Sequence, residues 1–221
     1  MISSALLQWI AVIAMTIDHI GLYLCGDAWP MRVIGRLAMP IFCFMLVEGF
    51  CHTSSRSRYF ARLLIFAFAA FVPHLTLAVI THTTLSLNVL FTLAFSLLAL
   101  ACIDRGRWYF LGLIPVFALM ICFPFEYGIF AILAVIGLYY ARKLFYHNRP
   151  LRVLAQLLVL AAMNISLYLQ TGWLLQLWAI AAIIPIALYS GKKGRRIGGR
   201  FFYYYYPLHL FVILLIKLLF Y

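Results

Sequence analysis

Carboxylates are scarce in this chain. Five Asp and Glu stand among 221 residues, and charged residues of both signs make up only 10%. A soluble domain carries about 25%, so this chain cannot cover a water-facing surface with charge. Cysteines are few and scattered, at positions 25, 43, 51, 102 and 122, an odd number with no CxxC pair. That pattern argues for neither a disulfide framework nor a zinc site. There is no P-loop, HExxH, GxSxG or GxGxxG. No soluble domain, long linker or clear internal repeat is visible, and residues 1–221 read as a single integral-membrane domain. The N-terminus has neither a basic leader nor a small-residue cleavage site, which predicts that the first span is retained.

Apolar residues are abundant: 67% of the chain, with a mean hydropathy of +1.06. They recur in runs about as long as a bilayer is thick, and a spanning helix needs roughly 20 such residues. The fold class predicted is all-α, a polytopic transmembrane bundle of about nine spans near 4–24, 31–51, 59–80, 86–103, 108–122, 127–144, 152–169, 172–190 and 201–220. Pro124 and Glu126 in "FPFEYG" disfavour one continuous lipid-facing helix there and predict a turn.

The charges that exist are mostly positive: 17 Lys and Arg give a net +12. Fourteen of the 17 fall in four places. These are Arg56, Arg58 and Arg62; Arg105 and Arg107; Arg142, Lys143, Arg149 and Arg152; and "GKKGRRIGGR". They are alternate loops of the nine-span reading, and the loops between are nearly free of Lys and Arg. The positive-inside rule then puts the N-terminus in the cytoplasm and the C-terminus outside. Basic residues divided among loops argue against a nucleic-acid face.

Polar groups at membrane depth cost about 2.5–3.5 kcal/mol each for Asp or Arg on insertion scales. They therefore mark candidate function. Asp18 and His19 stand inside "LLQWIAVIAMTIDHIGLYL". Chain neighbours lie about 100° apart on a helix, so the two need not bond to each other. Arg36 lies about two turns into the second span, near the same depth, where an Asp18–Arg36 pair offsets the cost of both charges. Asn88 and Thr92, one turn apart, and Tyr127 join this outer level. A second level nearer the cytoplasm holds Glu48 and His52 at i,i+4, followed by Arg56, and then Tyr206 and His209 in "YYYYPLHL". Pro207 is expected to kink that last helix. Tyr203 to Tyr205 read as an interfacial aromatic belt. His74, His82 and His147 read as ordinary. Glu48 and His52 alone fall short of a metal site, and no metal is expected.

Six segments carry a family resemblance: "WIAVIAMTIDHIG", "MRVIGRLAMPIFCFMLVEGF", "RYFARLLIFA", "NVLFTLAFSLLAL", "YGIFAILAVIGLYY" and "FYYYYPLHLFVILLI". In order and spacing the chain resembles the TraX family over nearly its whole length, with "DHIG", "GRLAMPIF" and "YPLHL" the most specific elements. The resemblance implies a bacterial plasma-membrane acetyltransferase. The family's named member acetylates the N-terminus of a conjugation pilin, and the wider group uses cytoplasmic acetyl-CoA. The acceptor implied is a pilin-like N-terminus or a cell-envelope glycan. Acyl transfer needs a base and donors for a developing oxyanion. His19 is the best base, since imidazole titrates near neutral pH. Asp18 either holds its ring or pairs with Arg36. Arg36, Asn88 and Tyr127 are candidate donors, with Thr92 beside them. Arg56, Arg58 and the basic loop 192–200 offer a mouth for CoA phosphates, and Glu48, His52, Tyr206 and His209 a passage for the pantetheine arm. The same buried groups also suit a small transporter or proton-coupled flippase, although no matched pair of broken helices is visible. A third reading is a structural assembly subunit.

Overall fold

Ser3, Ser55, Asn88 and Asn148 each precede an apolar run, and each caps a helix. Their side-chain oxygens accept from the backbone N–H groups of Leu6, Arg58, Leu90 and Leu151. Such caps satisfy donors that the first helical turn leaves open. In the computed structural model the helices they start are α1 (Ser4–Tyr23), α4 (Arg56–Ile80), α5 (Val89–Arg105) and α8 (Arg149–Thr171). Between and after them lie α2 (Trp29–Gly35), α3 (Ala38–His52), α6 (Leu113–Cys122), α7 (Gly128–Leu144), α9 (Ile183–Ala187) and α10 (Phe201–Phe220). The structure describes residues 1–194 and 201–220. Among these there is no strand, only two isolated bridges.

Taken with two 3-10 segments, these helices form nine rods among the described residues, close to the spans predicted. Five rods are long and apolar enough to cross a bilayer: Ser4–Tyr23, Trp29–His52, Arg56–Ile80, Arg149–Thr171 and Phe201–Phe220. The chain is a multi-pass membrane protein. Its "FPFEYG" segment does turn, with Tyr127 at φ 61° just ahead of α7. Two rods are short, and each opens as a 3-10 helix, Arg107–Gly112 and Leu174–Ala182. A 3-10 helix rises about 2.0 Å per residue against about 1.5 Å in an α-helix. That stretches the Leu174–Ala187 rod by about 4–5 Å toward bilayer thickness. Side chains three apart eclipse in such a helix. Accordingly its buried residues are Gln176, Ala179 and Ala182.

The second span, Trp29–His52, is present as predicted and is interrupted partway along. Helix α2 ends at Gly35, Arg36 and Leu37 form a turn, and α3 starts at Ala38. Pro40 supplies the reason. It has no N–H for the Arg36 carbonyl four residues back, and its ring crowds that oxygen. Pro207, by contrast, is carried inside α10.

By contact the chain divides into two compact units. One comprises Met1–Met45 and Gly137–Phe202. In it α1 packs on α2, and α8 and α2 both pack on the 3-10 run. Leu7, Ala11, Ile41, Leu160 and Ala182 are buried there. The N-terminal strand-like residues are tied down: Ile2 N–H donates to the Leu188 carbonyl at 2.9 Å and Ser4 N–H to that of Lys192 at 2.9 Å. The other unit comprises Leu46–Ile136 and Tyr203–Tyr221. There α4 packs on α5, and Ala99, Val116, Met120 and Ile132 form a core. Helix α4 shows the membrane pattern of small residues inward and large ones outward. Ala67 and Ala70 are buried, while Ile65, Phe68 and Val72 are exposed. Small residues let helix backbones approach where lipid supplies no hydrophobic drive.

Candidate functional site

Asp18 is the hub of the first unit's polar residues. Its carboxylate accepts from Arg32 Nη1 at 2.6 Å and from Arg36 Nη2 at 2.7 and 2.8 Å. The predicted Asp18–Arg36 pair is therefore present, with Arg32 as a second guanidinium that the sequence reading passed over. Arg32 and Arg36 are one turn apart and so share a face. Arg32 Nε reaches Asp27 Oδ1 at 3.0 Å. The Trp173 ring lies 5.1 Å from the Arg32 guanidinium carbon and 4.8 Å from that of Arg36. A stacked guanidinium is stabilised by the ring's negative face. Trp173 follows Gly172, whose φ of 70° closes α8 and aims the chain back. Its role needed tertiary structure, because nothing in "QTGW" names the arginines it meets.

The set is nearly dry. Asp18, His19, Arg32 and Arg36 are between 6% and 9% exposed. Two guanidinium groups and one carboxylate at this depth, with the half-exposed Asp27 at the rim, balance in formal charge. His19 lies beside the set on α1, its ring 5.8 Å from that of Tyr23. Asp18 spends both oxygens on arginines, which decides between its two predicted options: it pairs with Arg36. Gly35 makes the approach possible. A Cβ built there would overlap the Asp18 side chain. Gly35→Ala is expected to cost about 1–3 kcal/mol, the range for overpacking. A lowered thermal unfolding midpoint in detergent checks it.

A second buried pair supports the same unit. Asn164 Nδ2 donates to the Leu160 carbonyl at 2.7 Å, and its Oδ1 accepts from Gln176 Nε2 at 2.6 Å. This bond ties α8 to the 3-10 run that starts one residue after Trp173. Asn164→Leu strands the Gln176 amide and is expected to cost about 1–2 kcal/mol. The Gln176→Leu partner should recover most of that loss in a double-mutant cycle of unfolding midpoints.

The remaining predicted side chains, the basic loop 192–200 apart, lie in the second unit. Asn88 and Thr92 are fully buried, and their polar atoms hold helices and loops. Asn88 Oδ1 caps α5 while its Nδ2 donates to the Ala67 carbonyl at 2.9 Å. Thr92 donates to the Glu126 carbonyl at 2.7 Å. Tyr127 sits in the adjoining turn. That turn is knitted to residue 87, since Leu87 N–H donates to Pro124 at 2.7 Å and Glu126 N–H to Leu87 at 3.1 Å. His74, read as ordinary, is 2% exposed. Its Nε2 donates to the Ser86 carbonyl at 3.1 Å and lies 3.9 Å from Glu126 Oε1.

At the basic end of this unit His52 Nδ1 donates to the Glu48 carbonyl at 2.7 Å. His209 Nδ1 donates to the Tyr205 carbonyl at 3.0 Å, and its ring meets Tyr206 edge-on at 5.4 Å. Arg56 is paired with Asp104 at 2.7 Å and lies 4.2 Å from the centre of the Phe50 ring. Arg58 is exposed. Of the basic loop 192–200, residues 195–200 lie outside the described residues. Among the described residues, no three of His, Cys, Asp and Glu gather as a metal-ligand set.

Comparison with known proteins now adds to this geometry. The sequence model of the family described as "TraX protein" matches residues 3–217. A relative described as "Probable fimbrial assembly protein FimC, serogroup H1", from Dichelobacter nodosus, is 32% identical over 228 aligned residues, 92% of this chain and 91% of its own. "Uncharacterized protein RP591" of Rickettsia prowazekii (strain Madrid E) is 62% identical over 45 residues, 20% of this chain and 18% of that protein. No solved structure matches.

Proposed function

The chain belongs to the TraX family, and from that premise we propose that it is a membrane acetyltransferase acting on an amine or hydroxyl acceptor at or across the bacterial inner membrane. When bound, acetyl-CoA supplies the acetyl group as an activated thioester. The relative named for fimbrial assembly supports a pilin-like N-terminal amine as acceptor ahead of a cell-envelope glycan.

One observation carries the reading: a histidine buried at membrane depth beside an aspartate that clamps two arginines. Such charge is expensive in a bundle, and intramembrane ionisable groups mark function. His19 is the base that takes the acceptor's proton. Arg32 and Arg36, fixed by Asp18 and by the Trp173 ring, supply preorganised positive charge. Donors fixed before reaction cost no reorganisation where negative charge develops. Thr92 acts indirectly, by holding the loop that carries Tyr127, and Asn88 ties α5 to α4. On the basic, cytoplasmic side Arg58 offers a cation to the donor's phosphates. Arg56 offers less, because Asp104 already engages it.

The test uses purified protein in lipid nanodiscs with labelled acetyl-CoA and envelope extract. Wild type should place label on a protein amine or a glycan hydroxyl, and His19→Ala should not. Absence of transfer to any acceptor by well-folded wild type would refute the reading.

A further inference from the structure

Arg62 stands out among the arginines on the membrane helices. Arg32, Arg36 and Arg56 each pair with a carboxylate. Arg62, on α4, has no carboxylate partner among the described residues. Its Nε is buried and makes no hydrogen bond. Its guanidinium carbon lies 5.8 Å from the Tyr59 ring and 5.8 Å from the Tyr203 ring. These partners are neutral, so they leave a full positive charge inside a spanning segment. That is costly unless an anion meets it.

Both tyrosine rings are themselves packed. Phe66, one turn on from Arg62, stacks on Tyr203 with centroids 5.6 Å apart and planes at 28°. On the other side the Tyr59 hydroxyl sits against Gly49, where an added Cβ would meet it at 2.9 Å. Arg58 is one turn nearer the basic end and exposed. At i and i+4 the two guanidinium groups lie on one helix face. Arginine's planar fork matches a phosphate better than a lysine ammonium does.

We propose that Arg62, walled by Tyr59 and Tyr203 and backed by Arg58, is a phosphate-binding site at the basic end of α4. The phosphate belongs to coenzyme A or to an anionic phospholipid headgroup. The site deepens the transferase reading and rests on it only where the phosphate is that of the donor. Two cations on one turn suit a phosphate of one or two negative charges, and the tyrosine rings flank the guanidinium that meets it.

The full chain is assayed in phosphatidylcholine nanodiscs with coenzyme A and, as a probe lacking one phosphate, 3′-dephospho-coenzyme A. A second arm measures phosphatidylglycerol retained by the purified protein in native mass spectrometry. Arg62→Gln should weaken one of the two interactions at least tenfold, and Arg62→Lys should recover only part of it. Arg58→Gln, at an exposed position that threatens folding less, should weaken the same interaction about threefold to tenfold and flatten its salt dependence. Arg62-dependent binding of coenzyme A supports the site as the donor's. Arg62-dependent retention of phosphatidylglycerol with no coenzyme A binding supports the site as a lipid's and counts against the transferase reading. Equal binding of both probes by wild type, Arg62→Gln and Arg58→Gln overturns the site, and leaves the transferase reading standing if labelled acetyl still moves.

Discussion

Asp18→Ala is expected to lose about 3–5 kcal/mol of stability, enough to prevent accumulation of folded protein. The substitution removes one carboxylate and strands two guanidinium groups, both less than a tenth exposed. Breaking a buried pair by deleting one partner leaves uncompensated charge, which is why the cost exceeds the net worth of the pair. Asp27 cannot compensate, because it reaches only Arg32 Nε and its side chain is 57% exposed. Asp18→Asn keeps the shape and two acceptor positions' worth of space but loses the charge, so it should fall between wild type and alanine. The triple change Asp18→Ala, Arg32→Met, Arg36→Met should recover much of the stability, since buried ionic groups can be replaced by apolar ones of similar volume. Size-exclusion profiles and thermal unfolding midpoints in one detergent check the series. An Asp18→Ala protein with an unchanged midpoint would show that the guanidinium groups find water or lipid headgroups instead.

His19→Ala is expected to reduce acetyl transfer by about 10²–10⁴-fold, the usual contribution of a positioned general base. Stability should fall far less than for Asp18→Ala. The reason lies in the geometry: both Asp18 oxygens are engaged by arginines, so removing the imidazole leaves the clamp intact. His19→Gln retains hydrogen bonding without a titrating nitrogen, and should be as inactive as alanine if the ring moves a proton. A glutamine variant with near-normal transfer would reassign His19 to packing against Tyr23. Rates of label transfer at matched folded concentration separate these outcomes.

The two predictions draw on different amounts of sequence information. Asp18, His19 and Arg36 were legible because each interrupts an apolar run where a charge or ring is expensive. Arg32 was not, although it lies one turn before Arg36. Near the start of a span, nothing in the sequence separates it from an ordinary end residue. The break at Arg36 had a visible signal in Pro40, four residues on, which the run of apolar letters masked. Trp173 and the Asn164–Gln176 bond lay beyond reach, because their partners are between 12 and 141 residues away in sequence or depend on the turn at Gly172. Asn88 and Thr92 were recognised as polar and buried. Periodicity could not tell whether they faced a reactant or, as observed, backbone carbonyls.

Composition and run length determined the membrane class, the nine helical rods and nearly all their limits. Each follows from the cost of placing polar backbone and charge in hydrocarbon, a cost summed residue by residue along the chain. Depth in the sequence pointed to the Asp18–Arg36 pair, but only tertiary structure decided how the other charges meet. Arg32, Arg36 and Arg56 found carboxylates while Arg62 was left between two tyrosine rings. Pairing depends on where separate helices turn their faces, and a linear pattern of hydropathy carries no term for that.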